Sequence, residues 1–250
     1  MTRFTAGIVC VAVSMLSLGC ERKDNAQVQI PATTVPKPQV LPSAIVTVPT
    51  KYDGKKELPV VVTLHGMGSK PTDFLGDEYG ELADDLQAVI VAVSGPIPTD
   101  RGSFDWSDDV EVNLPRINSG LGVAMTKAKL RKDRVVLMGY SQGAYAALGL
   151  AYAHPELFAG TIAVSPGSLT NPALAPRPSP LLAKRGFVLC YGGKDEADFI
   201  RQGKERLNAA KRAGAKVEVK EYPDAEHLIP PDRDEVFPKW FEFILRANDE

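Results

Sequence analysis

A pentapeptide past the middle of the chain, Gly139–Gly143, has residue types that fit nucleophilic catalysis, because it places Ser141 between two glycines. The largely apolar run Arg134–Met138 precedes it and predicts a buried parallel strand. The uncharged run Ala144–Ala153 follows it and predicts a helix that is buried nearly all round. A strand joined directly to a helix forces a sharp turn, which the glycines permit and which raises the serine hydroxyl above the sheet edge. We therefore predict that Ser141 is a catalytic nucleophile.

A serine hydroxyl needs a general base within hydrogen-bond reach, and the chain has three histidines. His65 directly follows a predicted central strand and precedes a glycine, so we expect it to shape a turn. His154 ends the predicted buried helix and is expected to cap it. His227 lies in the loop after the last predicted strand, and we predict that it is the base.

The base in turn needs a carboxylate that holds its tautomer and stabilises its charged form. Asp195 follows the predicted strand that ends at Tyr191, and its place gives the chain order serine, aspartate, histidine. Two other carboxylates, Asp224 and Glu226, share the loop of His227, which makes a fixed orienting geometry harder. We predict Asp195 for this role and leave its competitors open; these are Glu196, Asp198, Asp224 and Glu226.

Acyl transfer also requires hydrogen-bond donors for the oxyanion that develops in the transition state. The backbone N–H of Gln142, next to the predicted nucleophile, is one candidate. The loop Leu64–Ser69 after the first central strand is rich in glycine, and we predict the N–H of Met67 as the second donor. This loop lacks the Gly-Lys-Ser/Thr ending of a phosphate-binding loop. The scattered histidines and unpaired cysteines predict no metal site.

These residues need a scaffold, and the composition fits a single α/β domain: 250 residues, 44% hydrophobic, with a net charge of −2. Such a charge gives no electrostatic reason to expect nucleic acid as a partner. Strands that alternate with helices predict a mostly parallel sheet with helices on both faces. Segment 94–118 is predicted to be loop because Gly, Pro and Asp recur in it, and the Pro-rich segment 166–183 shows no regular period. The predicted strands are Ile45–Val48, Leu58–Leu64, Ala88–Val93, Arg134–Met138, Ala159–Ser165, Phe187–Tyr191 and Lys216–Tyr222; the predicted helices are Tyr79–Gln87, Ser119–Arg131, Ala144–Ala153, Asp198–Arg212 and Phe237–Ala247.

The N-terminus has the layout of an export signal. A positive charge at Arg3 precedes an apolar stretch that is too short to span a bilayer, and residues 1–19 are predicted to be the signal peptide. Its ending, Leu16–Cys20, resembles the lipobox of bacterial lipoproteins, which predicts that Cys20 is lipidated and becomes the mature N-terminus. We therefore expect a cell-envelope protein anchored to a membrane through Cys20, with a soluble periplasmic or secreted protein as the alternative.

Residues 20–43 are rich in proline and show neither helical nor strand periodicity, so they are predicted to be a semi-extended tether. Residues 44–250 are then the catalytic domain. If Cys20 is acylated, Cys190 is the only free thiol, and its place at the end of a predicted strand indicates a small core residue.

Several of these motifs resemble the phospholipase/carboxylesterase family of α/β-hydrolases, which includes the acyl-protein thioesterases. The resemblance rests on Leu64–Gly68, Gly139–Ala144, the Gly-Lys-Asp sequence that ends at Asp195, and the late His227. It covers about Pro59–Leu245. It implies a single-domain α/β-hydrolase fold that hydrolyses carboxylic esters or thioesters without a cofactor.

One further segment takes part in the resemblance. Ser94–Pro98, followed by Phe104-Asp105-Trp106, is similar to the loop that lines the acyl pocket in that family. The resemblance implies that Phe104 and Trp106 contact the substrate. The alternative is that these rings pack over the edge of the core.

The sequence as a whole therefore predicts an exported serine esterase whose substrate is a small-molecule or lipid ester. Three alternatives remain open: a surface-anchored binding protein on the same fold without catalysis, an acyltransferase that uses a sugar or lipid acceptor, and an exported esterase of the polyhydroxybutyrate-depolymerase-like or feruloyl type. The sequence makes no prediction of the oligomeric state.

Overall fold

The structure, a computed structural model, describes residues 44–167 and 179–249. The predicted signal peptide 1–19, the lipidation site Cys20 and the tether 20–43 lie outside the described residues, as does 168–178 of the Pro-rich segment. These remain predictions. Within the described ranges, no helix combines the length and the apolar character needed to cross a membrane.

In the described ranges, hydrogen bonds join seven strands into one sheet, and a short hairpin is separate from it. The strands of these ranges are β1 (Ala44–Thr47), β2 (Leu58–Leu64), β3 (Val89–Val93), β4 (Ile97–Pro98), β5 (Phe104–Asp105), β6 (Leu130–Tyr140), β7 (Gly160–Val164), β8 (Gly186–Gly192) and β9 (Lys216–Tyr222). The main sheet has the order β1-β3-β2-β6-β7-β8-β9, and β4 pairs with β5. β1 runs antiparallel to β3, whereas all other neighbours in the main sheet are parallel. The predicted mostly parallel sheet is confirmed.

Both faces of this sheet are covered by α-helices, which among the described residues are α1 (Tyr79–Leu86), α2 (Val110–Met125), α3 (Gln142–Ala153), α4 (Ala197–Arg212) and α5 (Arg233–Asp249). Side chains alternate along β2, so that Val60 and Val62 pack into a core with α2, α3 and α4. Val61, on the other face, packs into a second core with α1 and α5. A strand covered on both faces is apolar at successive residues, which is why the strands could be recognised as continuous apolar runs.

The carboxyl ends of the parallel strands share one edge of the sheet, and the loops at that edge carry the candidate catalytic residues. Because β1 is antiparallel, its amino end lies at this same edge. Ala44 pairs with Val93, the last residue of β3, so the described chain enters the domain at the edge where the catalytic candidates lie.

The prediction that 94–118 is loop is wrong at the short hairpin of β4 and β5, and again from Val110 onward, where α2 begins. Asp109 caps this helix, because its side chain accepts a hydrogen bond from the N–H of Glu111 at 3.0 Å. Pro115 lies inside the helix on an exposed face, where its missing N–H and the lost backbone bond are tolerated. A proline and a run of aspartates therefore indicated a loop where the chain forms a capped helix.

The predicted helix Ser119–Arg131 also ends earlier than expected, at Met125. From Leu130 the chain is already strand, because Leu130 pairs with Leu58 at the start of β2. This pairing depends on a partner that is distant in sequence, and it overrides the local helical pattern. The other predicted elements are present with ends that differ by a few residues.

Candidate active site

Ser141 lies between β6 and α3 in a conformation that is strained for a residue with a side chain, with φ 56° and ψ −122°. The flanking glycines are required by close backbone approaches. A Cβ on Gly139 would stand 2.5 Å from the amide nitrogen of Ala144, and one on Gly143 would stand 2.7 Å from the carbonyl carbon of Leu64. The structure thus contains the sharp strand–turn–helix that the sequence predicts around Ser141.

His227 and Asp195 come together at the same sheet edge. The His227 Nδ1 atom is 2.8 Å from Oδ2 of Asp195, whose side chain is only 3% exposed. The other oxygen of Asp195 accepts a hydrogen bond from the N–H of Glu196 at 2.8 Å. A buried carboxylate acts as an acceptor here, so Nδ1 carries the proton and Nε2 is left free to accept one.

The competing carboxylates lie elsewhere. The side chain of Asp224 is 96% exposed and pairs with Lys194 at 3.1 Å. Glu226 and Glu196 are exposed, and Asp198 pairs with Arg201 on the surface of α4. Among the predicted candidates, Asp195 is therefore the carboxylate that the structure pairs with the ring of His227.

The loops that carry Asp195 and His227 are held together by backbone contacts. The N–H of Gly193 donates to the carbonyl of Tyr222 at 2.8 Å, and the N–H of Lys194 donates to the carbonyl of Ala225 at 2.9 Å. These bonds extend the pairing of β8 with β9 past the end of the sheet. The spacing of Asp195 and His227 is thus fixed by main-chain geometry.

The sequence reasoning gave no role to three residues that hold the segment of His227: Ser165, which bonds the neighbouring Leu228, and the rings of Phe199 and Tyr140. Ser165, at the end of β7, has φ 41°; its hydroxyl donates to the carbonyl of Leu228 at 3.0 Å and accepts from the Leu228 N–H at 3.3 Å. The ring of Phe199 lies 5.8 Å from that of His227, and the ring of Tyr140, the residue before Ser141, lies 5.2 Å from it. The sequence signal that indicates Ser165 is its position: it directly follows β7, the strand next to β6, which leads into the turn of Ser141.

The loop after β2 holds the predicted oxyanion donor Met67, a residue that is 68% exposed. His65 is buried beneath it and contacts backbone groups through both ring nitrogens. Nε2 accepts from the N–H of Gly95 at 3.0 Å, so Nδ1 carries the proton and donates to the carbonyl of Gly66 at 2.7 Å. Burial lowers the pKa of His65, which favours this neutral form. The carbonyl of Gly66 and the N–H of Met67 belong to one peptide unit, so His65 orients the predicted donor.

The aromatic residues Phe104 and Trp106 are buried, with exposures of 7% and 2%, and both rings lie against His65. The indole N–H of Trp106 donates to the carbonyl of His65 at 2.9 Å. Its backbone N–H donates to the side-chain oxygen of Gln142, also at 2.9 Å. These contacts agree with rings that pack over the edge of the core, and a contact between either ring and substrate stays a prediction.

In the described ranges, no group of three or more His, Cys, Asp or Glu side chains is placed to hold a metal ion. Cys190 is buried within β8, and in the part of the chain that the structure describes it is a free thiol. Burial raises the pKa of its thiol to about 12, so the thiol stays protonated and lies in the core as expected.

Comparison with known proteins identifies the family of the chain. A sequence model that describes phospholipases and carboxylesterases matches residues 103–237, just over half of the chain. The matched range includes Ser141, Asp195 and His227. A comparison with curated proteins gave no match.

Solved structures share the fold at low sequence identity. A carboxylesterase from Bacillus cereus is 20% identical, with a TM-score of 0.60 over 80% of this chain and 93% of its own. Esterase PE8 is 20% identical, with a TM-score of 0.62 over 81% of this chain and 98% of its own. A ferulic acid esterase is 16% identical, with a TM-score of 0.58 over 82% of this chain and 92% of its own.

Proposed function

The chain belongs to the phospholipase/carboxylesterase family and is a hydrolase, and we propose that it is a serine esterase that cleaves carboxylic esters or thioesters. In this proposal Ser141 is the nucleophile, His227 is the general base and acid, and Asp195 orients His227. The backbone N–H groups of Met67 and Gln142 bind the oxyanion. The substrate is a small-molecule or lipid ester, and the reaction requires no cofactor.

The proposed reaction has two halves. Ser141 Oγ attacks the acyl carbon while Nε2 of His227 takes its proton, and the tetrahedral oxyanion is bound by the two N–H groups. The bond to the leaving group then breaks, and His227 gives its proton to the departing alcohol or thiol. Water attacks the acyl-enzyme in the second half, again losing a proton to His227, and the carboxylic acid leaves as Ser141 recovers its hydrogen.

The observation that carries the proposal is the buried carboxylate of Asp195, 2.8 Å from Nδ1 of His227. A carboxylate that is removed from water needs partners, and this one is bonded to the imidazole and to the backbone N–H of Glu196. This contact uses Nδ1 and leaves Nε2 free, and the imidazole lies 5.2 Å from the ring of Tyr140, the residue that precedes Ser141. An arrangement of this kind serves proton transfer at a serine hydroxyl.

The proposal is tested by the release of p-nitrophenol from acyl esters of increasing chain length, with a thioester series in parallel. We expect turnover by residues 44–250 and none by Ser141→Ala, whereas Ser119→Ala, which changes an exposed serine on α2, keeps the full rate. A fluorophosphonate should label the wild type and not Ser141→Ala. No turnover and no labelling in the wild type would refute the serine esterase, and turnover in Ser141→Ala would refute this nucleophile.

Asp195→Asn tests the orienting carboxylate at constant size. An amide can present its NH₂ to Nδ1 and so favour the wrong tautomer, and we expect kcat to fall by about 10³- to 10⁴-fold. Asp224→Asn is the matched control, because Asp224 lies in the loop of His227 but its side chain is 96% exposed. Equal effects of the two substitutions would contradict the assignment.

We propose in addition that the protein is exported and anchored through a lipid on Cys20. The basis is the sequence pattern of residues 1–20. Because β1 begins at the edge that carries the candidate site, a tether of residues 20–43 would join the domain there. Incorporation of a labelled fatty acid and membrane fractionation test this: the wild type should be labelled and sediment with membranes, and Cys20→Ser should do neither. An unlabelled, soluble wild type would refute the anchor.

A further inference from the structure

The segment Phe104–Trp106 contacts both parts of the chain that carry the proposed oxyanion donors, the loop after β2 and Gln142. On the side of the loop after β2, the N–H of Gly68 donates to Oδ1 of Asp105 at 2.7 Å, and the N–H of Phe104 donates to the carbonyl of Ser69 at 2.9 Å. On the other side, the backbone N–H of Trp106 donates to Oε1 of Gln142 at 2.9 Å. The two proposed donors follow different strands, and this one segment links the loops that carry them.

The loop around Met67 is held by hydrogen bonds more than by packing. Met67 is 68% exposed, and among the described residues only the chain neighbours of Gly68 come within 4 Å of where its Cβ would stand. Gly68 also has φ 64°, a conformation that favours glycine and gives the turn little stiffness of its own. Removal of a single hydrogen-bond acceptor can therefore release this turn.

Each of the two peptide units that flank the Met67 Cα is held by one side chain. His65 donates to the carbonyl of the unit that contains the Met67 N–H. Asp105 accepts from the Gly68 N–H in the next unit. A carboxylate acceptor makes a charge-assisted hydrogen bond, which is about twice as strong as a neutral one. The two contacts together fix the rotation about both backbone bonds of Met67.

Asp105 is itself firmly placed. It pairs with Ile97 in the hairpin β4–β5. Its backbone also lies so close to Gly95 that a Cβ there would stand 2.8 Å from the carbonyl carbon of Asp105. The same Gly95 donates its N–H to Nε2 of His65. The hairpin, the histidine and the loop are thus joined into one hydrogen-bonded unit beneath the proposed oxyanion site.

We propose that Asp105 is a positioning residue of the reaction: its carboxylate fixes the Met67–Gly68 peptide and so aims the Met67 N–H at the oxyanion, without touching the substrate. This role rests on the proposed function. It concerns the transition state, because the donor is needed most where negative charge develops on the acyl oxygen.

The test is the kinetics of Asp105→Ala and Asp105→Asn on the best p-nitrophenyl ester. Complete loss of one oxyanion donor costs about 10²- to 10³-fold in kcat. A donor that is misdirected but not removed should cost less, so we expect kcat to fall about 10- to 100-fold in Asp105→Ala, with KM within about threefold. Asp105→Asn keeps a neutral acceptor for the Gly68 N–H and should recover part of the loss.

A second readout separates positioning from general damage. A trifluoromethyl ketone forms a hemiketal oxyanion on Ser141, so its inhibition constant should rise by the same factor as kcat/KM falls. Asp73→Ala is the matched control, since Asp73 accepts a backbone N–H from Lys70 in the next turn of the same loop but does not contact the peptides of Met67. If Asp105→Ala does not fold, Asp105→Asn carries the test, with a several-fold fall in kcat and a matching rise in the inhibition constant.

Wild-type kcat in Asp105→Ala, or a fall in kcat with unchanged affinity for the ketone, would overturn the role of Asp105 while turnover still depends on Ser141. Turnover that survives in Ser141→Ala would instead overturn the proposed function, and the role of Asp105 with it. The two failures are therefore distinguishable in one set of measurements.

Discussion

Gly192, the last residue of β8, lies where the loops of Asp195 and His227 meet, and an alanine there should separate these two loops. A Cβ on Gly192 would stand 2.7 Å from the carbonyl carbon of Ala225 and closer still to the carbonyl oxygens of Ala225 and Glu226. Real Cβ atoms essentially never approach other atoms closer than 3.0 Å. The obstacles are backbone atoms, so no side chain can rotate away to make room.

The size of the effect follows from this overlap. The segment that precedes His227 must move away from β8 by about 1 Å to admit the methyl group, and Asp195 stays with β8. A displacement of about 1 Å in a catalytic group can cost about 100-fold in rate. We therefore expect Gly192→Ala to lower kcat about 100-fold, and to slow the labelling of Ser141 by a fluorophosphonate, because the hydroxyl loses its aligned base.

The assay compares kcat, labelling rate and the urea midpoint of Gly192→Ala with those of Gly122→Ala. Gly122 lies inside α2 with no atom within 4 Å of where its Cβ would be, so alanine fits there. The control should keep the wild-type rate and gain about 0.5–1 kcal/mol of stability, because alanine favours the helix over glycine. It is the same chemical change in a place without overlap.

Wild-type kcat in Gly192→Ala would refute the reasoning, since it would mean that the spacing of these two loops does not govern catalysis. Loss of activity together with loss of folding is a separate outcome, which the urea midpoint detects. In that case the rate at which a fluorophosphonate labels Ser141 is measured at low temperature, where more of the variant is folded. This rate reports the alignment of Ser141 with His227 in the folded molecules.

Two further predictions concern stability. Burial lowers the pKa of His65, so the folded state keeps the ring neutral while the unfolded chain takes up a proton near pH 6.5; this stabilisation is complete above that pH and lost as pH falls below it. Urea unfolding should show a loss of at most about 1.4 kcal/mol per pH unit below pH 6.5, and His65→Asn should lack this part of the slope; identical slopes would contradict it. Arg206 is 8% exposed and two of its guanidinium nitrogens have no hydrogen-bond partner among the described residues, although Nε contacts the hydroxyl of Tyr145. Arg206→Met should raise the free energy of unfolding by about 1 kcal/mol. The control Arg201→Met changes an exposed arginine that pairs with Glu205, and it should leave this free energy unchanged. A large fall in the free energy of unfolding of Arg206→Met would show that the buried charge is stabilising.

Much of the scaffold could be predicted from the sequence because its signals are local. The strands at the centre of the sheet are continuous apolar runs, and the Ser141 turn is bounded by a strand and a helix with glycines between them. The start of α2 was missed because Pro115 and the aspartates before Val110 usually indicate a loop. They form a capped helix here, since its inner side packs against β3 and α3, far away in sequence.

The sequence by itself determined the order of the elements and the kinds of residue that stand at the ends of the strands. It left several carboxylates as partners for His227, because each of them lies near a strand end or in the same loop. The sequence favoured Asp195 by its place after a strand, but only the tertiary structure separates it from its competitors, because the register of β8 against β9 and the close approach of Gly192 to the segment before His227 bring its carboxylate to the ring. The same holds for Ser165 and Asp105, whose partners Leu228 and Gly68 are remote in sequence. A hydrogen bond needs a distance near 3 Å between two particular atoms, and a pattern along the chain contains no such distance until packing has set it.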